Sequence, residues 1–258
     1  MKQNIAILIM LAFTTTIVAQ TDSLMKKNSF QLSLGLNQIK EKNINTKVHS
    51  GSSYLLKYSR EKEKKNISQY NVSFLFSKIK TKYESASRSM NIQLRGNYGY
   101  FFNFKKTEKY RFFVGPNLSA NYRLSFYPNW DDSHLYWADD FSLGLSNHLQ
   151  YLINDKKSLL LGFNVSVLSI FSRPQLRRNY KIDDVSFGGI INNMNSNFQF
   201  GTVNRALNIY FQGEYQFKIS DKMNQAIVYT FCYSTFKGSE SMPFQNMLHN
   251  LSFKIYFQ

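Results

Sequence analysis

Hydrophobic and polar residues alternate along most of this chain, and the clearest instance lies near its middle. From Met90 to Phe104 the residues Met90, Ile92, Leu94, Tyr98, Tyr100, Phe102 and Phe104 take alternate positions, with Asn91, Gln93, Arg95, Asn97 and Gly99 between them. After a charged turn, Lys105 to Lys109, the pattern resumes as Tyr110, Phe112, Val114, Leu118, Ala120, Tyr122, Leu124 and Phe126. Its polar partners are Arg111, Gly115, Asn117, Ser119, Asn121, Arg123 and Ser125. A period of two means β-strands whose faces meet different environments. Both runs far exceed the usual strand length of about five or six residues. Aromatic on one face and polar on the other, they predict strands that cross a membrane.

The same alternation continues in both directions and predicts about ten strands. The first carries Phe30, Leu32, Leu34 and Leu36 on one face, and the last Leu251, Phe253, Ile255 and Phe257. Connections alternate as well. Glu61 to Asn66, Lys105 to Lys109, Asn154 to Lys156 and Ser220 to Asn224 are short and charged. Glu41 to Ser50, Pro128 to Ala138, Arg173 to Arg205 and Lys237 to Met247 are longer. Short periplasmic turns and long outer loops give this rhythm, which places the first strand running outward from the periplasm. Arg173 to Arg205 is too long for a featureless loop. Within it, Val185 to Ile191 and Phe198 to Val203 have the makings of one more hairpin, giving twelve strands or an extension above the membrane. The expected fold is all-β: a single antiparallel up-and-down transmembrane barrel.

Residues 1–20 read as a secretory leader and 21–258 as the barrel domain. Lys2 supplies the positive end, Ile5 to Leu11 the apolar core, and Ala19-Gln20 the cleavage site. That apolar run is too short to span a bilayer as a helix. The negative mean hydropathy does not oppose membrane residence, because alternation dilutes a barrel's hydrophobicity. Cys232 is the only cysteine, so there is no internal disulfide, and by parity it faces the polar side. A net charge of +16 raises the question of nucleic acid. Export argues against it, as does the lack of a basic helix or phosphate-cradling glycine loop. Anionic outer-membrane lipids, above all lipopolysaccharide phosphates, are the expected partners. No cofactor is expected.

The Ala19-Gln20 end of the leader, the alternating aromatic strands and the closing Leu251-x-Phe253-x-Ile255-x-Phe257 together resemble a Bacteroidota-type outer-membrane β-barrel protein. The closing strand is similar to the signal read by the barrel-assembly machinery, although here Gln258 follows the last aromatic. The resemblance covers everything after the leader. It implies a porin-like protein of the cell outer membrane and identifies no substrate.

Two groups of residues invite a functional reading. By parity Arg95, Arg111, Arg123, His148, Glu214, Lys218 and Lys254 face the lumen. They form either a structural lattice, with Glu214 bridging to arginines, water filling the gaps and His148 bonded to Glu214 or a hydroxyl, or a narrow pore that prefers anions. The second group is the outer segment holding Trp130, Asp131, Asp132, His134, Trp137, Asp139 and Asp140. Its carboxylates suit a hard cation, its tryptophans suit interfacial anchoring or sugar stacking, and an acidic loop balancing nearby lysines is the plainer account. The spacing assigns no metal.

Asp131, Asp132 and His134 have the residue types of omptin-like barrel proteases. They share one loop, whereas that arrangement draws its pairs from separate strands. Ser146 and His148 reverse the order used by barrel lipid hydrolases and turn toward the lumen. The expected function is therefore non-enzymatic: envelope structure, surface binding or small-solute passage. A barrel hydrolase acting on lipid or peptide is the alternative. A soluble lipocalin-like barrel comes third, because it would turn its aromatic face inward.

Overall fold

The computed structural model describes residues 25–42, 47–82, 88–128, 135–174, 186–220, 223–238 and 243–257. The proposed leader and residues 129–134 lie outside these. In chain order the elements are β1 (Met25–Glu41), β2 (His49–Glu63), β3 (Ile67–Ile79), β4 (Ser89–Lys106), β5 (Tyr110–Phe126), β6 (Leu135–Trp137), β7 (Asp139–Asn154) and β8 (Lys157–Ser172). They continue with helix α1 (Phe187–Met194), β9 (Gln199–Thr202), β10 (Ala206–Lys218), β11 (Met223–Phe236) and β12 (Phe244–Phe257). Ten long strands form one antiparallel barrel, closed by β1 against β12 from Asn28↔Phe257 to Glu41↔Phe244.

The two short strands do not add to the circumference. Leu124 pairs Trp137 of β6, and Asn121 pairs Asp140 of β7, in a common register, so β6 is the outer end of β7 beyond a break at Ala138. Likewise Leu168 of β8 pairs Thr202 of β9, while lower on the same strand Val165 pairs Ile209 of β10. The extra hairpin expected within 185–203 does not form. Its first half is α1, started by Ser186, whose Oγ accepts the Gly189 N–H at 3.1 Å. The run Phe187-Gly-Gly-Ile-Ile-Asn-Asn-Met194 lacks the period of two that a spanning strand needs. Its second half, β9, extends the wall upward instead.

Side chains divide as the alternation requires. Phe30, Leu32, Leu34, Leu94, Phe253 and Leu251 all point outward, with Leu32 at 66% and Leu251 at 62% exposure. Ser29, Gln31, Ser33, Asn121, Asn250, Ser252 and Lys254 are buried inside. A water-soluble barrel would show the reverse, so the lipocalin-like reading fails. Near the short-turn end, Phe30 contacts Tyr58 at 5.2 Å and Phe257 at 5.8 Å, and Tyr58 contacts Tyr70 at 6.2 Å. Such a chain of rings is the interfacial girdle of a membrane barrel. The belt and the closed ladder place the protein in the outer membrane.

Apolar clusters lie inside the barrel at each end. Ile39, Ile79, Ala138, Phe171, Ala206, Phe236 and Phe244 fill the outer mouth, with Phe236 stacked between Phe171 (5.5 Å) and Phe244 (5.8 Å). Ile67, Phe101 and Phe113 fill the periplasmic end. The latter two come from doubled aromatics, Phe101-Phe102 and Phe112-Phe113, where one ring of each pair must turn inward.

If the outward face is lipid-facing, Leu94→Arg on it should destabilise the bilayer-refolded protein by about 2–4 kcal/mol. Urea titration in lipid vesicles measures this; a change within about 0.5 kcal/mol, as on a water-exposed surface, would contradict it.

Candidate functional site: the lumen

Between the apolar ends the lumen is polar and encloses a cavity of about 90 Å³. One cross-strand row organises its charges. Following the pairing from strand to strand, Lys254 lies beside Gln31, Gln31 beside Lys57, Lys57 beside Ser73, Ser73 beside Arg95, Arg95 beside Asn121, and Asn121 beside Asp140. Because barrel strands are staggered, the row climbs from the periplasmic toward the outer side.

Each end of the row is tied by a buried ion pair. At the lower end Lys254 Nζ meets Glu214 Oε2 at 3.0 Å. Glu214 also accepts from Gln212 Nε2 (2.8 Å), Gln216 Nε2 (2.6 Å) and the Tyr256 hydroxyl, so its acceptor capacity is taken up. Glu214 belongs to β10 and Lys254 to β12, and the pair reaches across the small Ala226 of β11. At the upper end Arg123 Nη1 meets Asp140 Oδ1 at 3.1 Å. Asp140 Oδ2 accepts from Asn121 Nδ2 (2.9 Å), Asn208 Nδ2 (3.0 Å) and Ser142 Oγ (2.9 Å). Arg123 Nη2 crosses the lumen to Ser234 Oγ at 3.0 Å, and its guanidinium lies over the Phe236 ring at 5.5 Å.

A second pair of ties marks the rims. Outermost, Arg173 Nη2 meets Glu41 Oε1 at 2.6 Å, Nη1 donates to the Phe236 carbonyl at 2.8 Å, and Tyr136 Oη accepts from Nη2 at 3.0 Å. Both charges are fully buried. Beside them, burial and the Glu41 carboxylate push the Tyr127 phenol above its ordinary range. At the periplasmic rim Arg111 Nη1 meets Glu63 Oε1 at 2.6 Å, with Lys27 Nζ at 3.7 Å from Glu63 Oε2.

Of the residues expected to face the lumen, Arg95, Arg123, His148, Glu214 and Lys254 all line the central cavity. Arg111 sits lower, at the rim. Lys218 is exposed at the end of β10 and does not line the cavity. Glu214 bridges to a lysine and not to the arginines: Arg123 pairs with Asp140, Arg111 with Glu63, and Arg95 bonds to Asn97. His148 does not bond to Glu214; it lies against the Phe101 ring at 4.2 Å.

The outer acidic segment divides. Trp130, Asp131, Asp132 and His134 lie outside the described residues. Asp139 and Asp140 open strand β7 and turn inward: Asp139 Oδ1 accepts the Arg123 backbone N–H at 2.8 Å. They are therefore not part of an open cation-binding loop. Trp137 is buried against Met194 of α1, with its Nε1 donating to Ser172 Oγ at 3.3 Å, so it offers no stacking platform. Among the described residues no group of three or more His, Cys, Asp or Glu is placed to hold a metal ion.

Several lumen residues escape a reading that starts from net charge. Lys57 lies between outward Leu56 and Tyr58, so parity alone would have found it. Tyr210 and Tyr256 are hidden by the habit of assigning tyrosine to the lipid face. Glu41 and Arg173 stand at strand ends, where parity lapses.

No protein-family model matches the sequence, and no curated protein does. Solved structures do. The outer membrane protease OmpT from Escherichia coli aligns with a TM-score of 0.55 at 6% identity, over 94% of this chain and 98% of its own. The translocator domain of the autotransporter NalP from Neisseria meningitidis aligns at 0.46 and 6% identity, over 90% and 88%. Neisserial surface protein A aligns at 0.36 and 10% identity, over 89% and 96%. The likeness to OmpT carries the fold, an outer-membrane β-barrel, and nothing finer.

Removing one member of a buried ion pair leaves the other uncompensated. Lys254→Met should therefore cost about 3–5 kcal/mol in unfolding free energy, and adding Glu214→Gln should restore most of it. A double-mutant cycle by urea titration measures the difference; additive losses would contradict the tie.

Proposed function

We propose that this protein is a non-enzymatic, Bacteroidota-type outer-membrane barrel that serves the envelope structurally, with a sealed lumen and its outer rim as the face available for binding. The observation that carries this reading is the packing of the interior. The outer mouth is narrowed by the Phe171–Phe236–Phe244 stack and the periplasmic end by Ile67, Phe101 and Phe113, with a main cavity of about 90 Å³ between them and a smaller one of about 30 Å³ beside Ile67 and Phe113. That space holds several waters, and the rings at either end narrow the way to it. The ion pairs described above lace the walls at successive heights, which suits a barrel built to stay closed.

The commitment of the carboxylates supports the non-enzymatic part. Asp140 and Glu41 are each bound to a buried arginine, so neither is free to activate water. The resemblance to a protease extends to the fold only. Outer-membrane lipids, including lipopolysaccharide phosphates, are the partners this basic chain would meet at its rims, and the barrel-assembly machinery would read its β12 strand.

Planar-bilayer recording tests the reading. The expected result is an unbroken baseline across the usual voltage range. Discrete conductance steps of either selectivity would overturn the sealed lumen, and hydrolysis of peptides or phospholipids by purified protein would overturn the non-enzymatic part.

A further inference from the structure

We propose that the central lumen cavity binds one small inorganic anion, held between Lys57 and Arg95. These residues lie on β2 and β4 with Ser73 of β3 between them on the same cross-strand row, which sets their Cα atoms about 10 Å apart. Both reach toward Tyr210 on the opposite wall. Lys57 Nζ is 5.5 Å from the ring centroid and donates to its Oη at 3.3 Å. The Arg95 guanidinium carbon is 5.2 Å from the same centroid. Two cationic heads thus converge on one wall of one small cavity.

Their partners are neutral. Arg95 Nε donates to Asn97 Oδ1 at 3.1 Å and Nη1 approaches Cys232 Sγ at 3.8 Å. Among the described residues neither Lys57 nor Arg95 has a carboxylate within ion-pair distance. The carboxylates lining the same cavity are engaged elsewhere: Glu214 with Lys254, and Glu61 with Lys27 at 3.9 Å. Every other lumen cation placed above has a carboxylate; these two have each other. Two like charges facing a closed, low-dielectric space repel, and a buried charge is stable only when paired or solvated. A mobile anion removes the repulsion where water only weakens it.

The space and its other donors fit such an ion. About 90 Å³ admits a halide with a few waters or a compact oxyanion. Asn250 lines the same cavity at 1% exposure, and its Nδ2 has no partner among the described residues. Occupancy rests on the closed-lumen reading, because in an open pore the same cations would pass anions instead of holding one.

The test uses the full chain refolded from urea into detergent in sodium bromide, so that the ion can enter before the barrel closes. Anomalous scattering from crystals should show one bromide peak between Lys57 Nζ and the Arg95 guanidinium. Unfolding midpoints should be higher in sodium chloride or phosphate than in sodium gluconate at equal ionic strength, and Lys57→Met and Arg95→Met should each abolish that difference. Bromide found only on the surface overturns the site. If either variant fails to fold, the bromide map of the unaltered protein decides alone. Bilayer conductance would overturn the sealed lumen and the held ion with it; no conductance and no peak would overturn the site alone and leave the sealed lumen standing.

Discussion

Closure of the backbone ladder between β1 and β12 is the constraint on which the rest of this structure depends. In hydrocarbon an unpaired sheet edge leaves a row of unsatisfied N–H and C=O groups, so a spanning sheet must join its own ends. Here the join runs from Asn28↔Phe257 to Glu41↔Phe244, nearly the full length of both strands. Closing at ten strands fixes a lumen wider than that of an eight-stranded barrel filled by side chains and far narrower than a porin's. Every second residue then has to face that lumen, whatever its chemistry. The interior is therefore built from the polar half of an alternating sequence and cannot become an ordinary oily core.

The solution is layered. Aromatic and aliphatic residues gather at the two ends, where strand ends and doubled aromatics let apolar side chains turn inward. Charges occupy the middle, where parity delivers them. Several ties join walls that are not neighbours: Arg123 of β5 reaches Ser234 of β11, Lys57 of β2 reaches Tyr210 of β10, and Arg173 beyond β8 reaches Glu41 of β1. Buried ion pairs of this kind add little net stability over apolar packing, because desolvation offsets their attraction. What they supply is geometry: each fixes the spacing of two distant strands, which the backbone ladder alone does not.

The strands were legible in the sequence because lipid and lumen impose opposite demands on consecutive residues. Ile92 and Leu94 can face out only if Asn91, Gln93 and Arg95 face in, and the structure places them so. The site was legible in part. Arg95, Arg123, His148, Glu214 and Lys254 were placed correctly by parity, but their partners were not, since pairing depends on stagger around the barrel and not on position along a strand. Asp140 looked like loop chemistry because the sequence does not mark where β7 begins; the break at Ala138 hides the continuity of β6 and β7. Residues 185–203 misled for a related reason. They are apolar enough for strands, but they lack the alternation a spanning strand needs, and Ser186 caps a short helix on the rim.

A charged lumen reads the same in sequence whether it conducts or not. Arg95 and Lys57 would line a narrow anion pathway as readily as they line a closed cell, and no spacing along the chain separates the two. The difference lies in volume left over after packing, a quantity set by ten registers at once. Rings that turn inward near the strand ends, such as Phe236 and Phe101, reduce that volume there. The chemistry of the middle follows from how far the ends close: cations solvated in a pore become buried charges in a sealed lumen, and buried charges must be paired or hydrated.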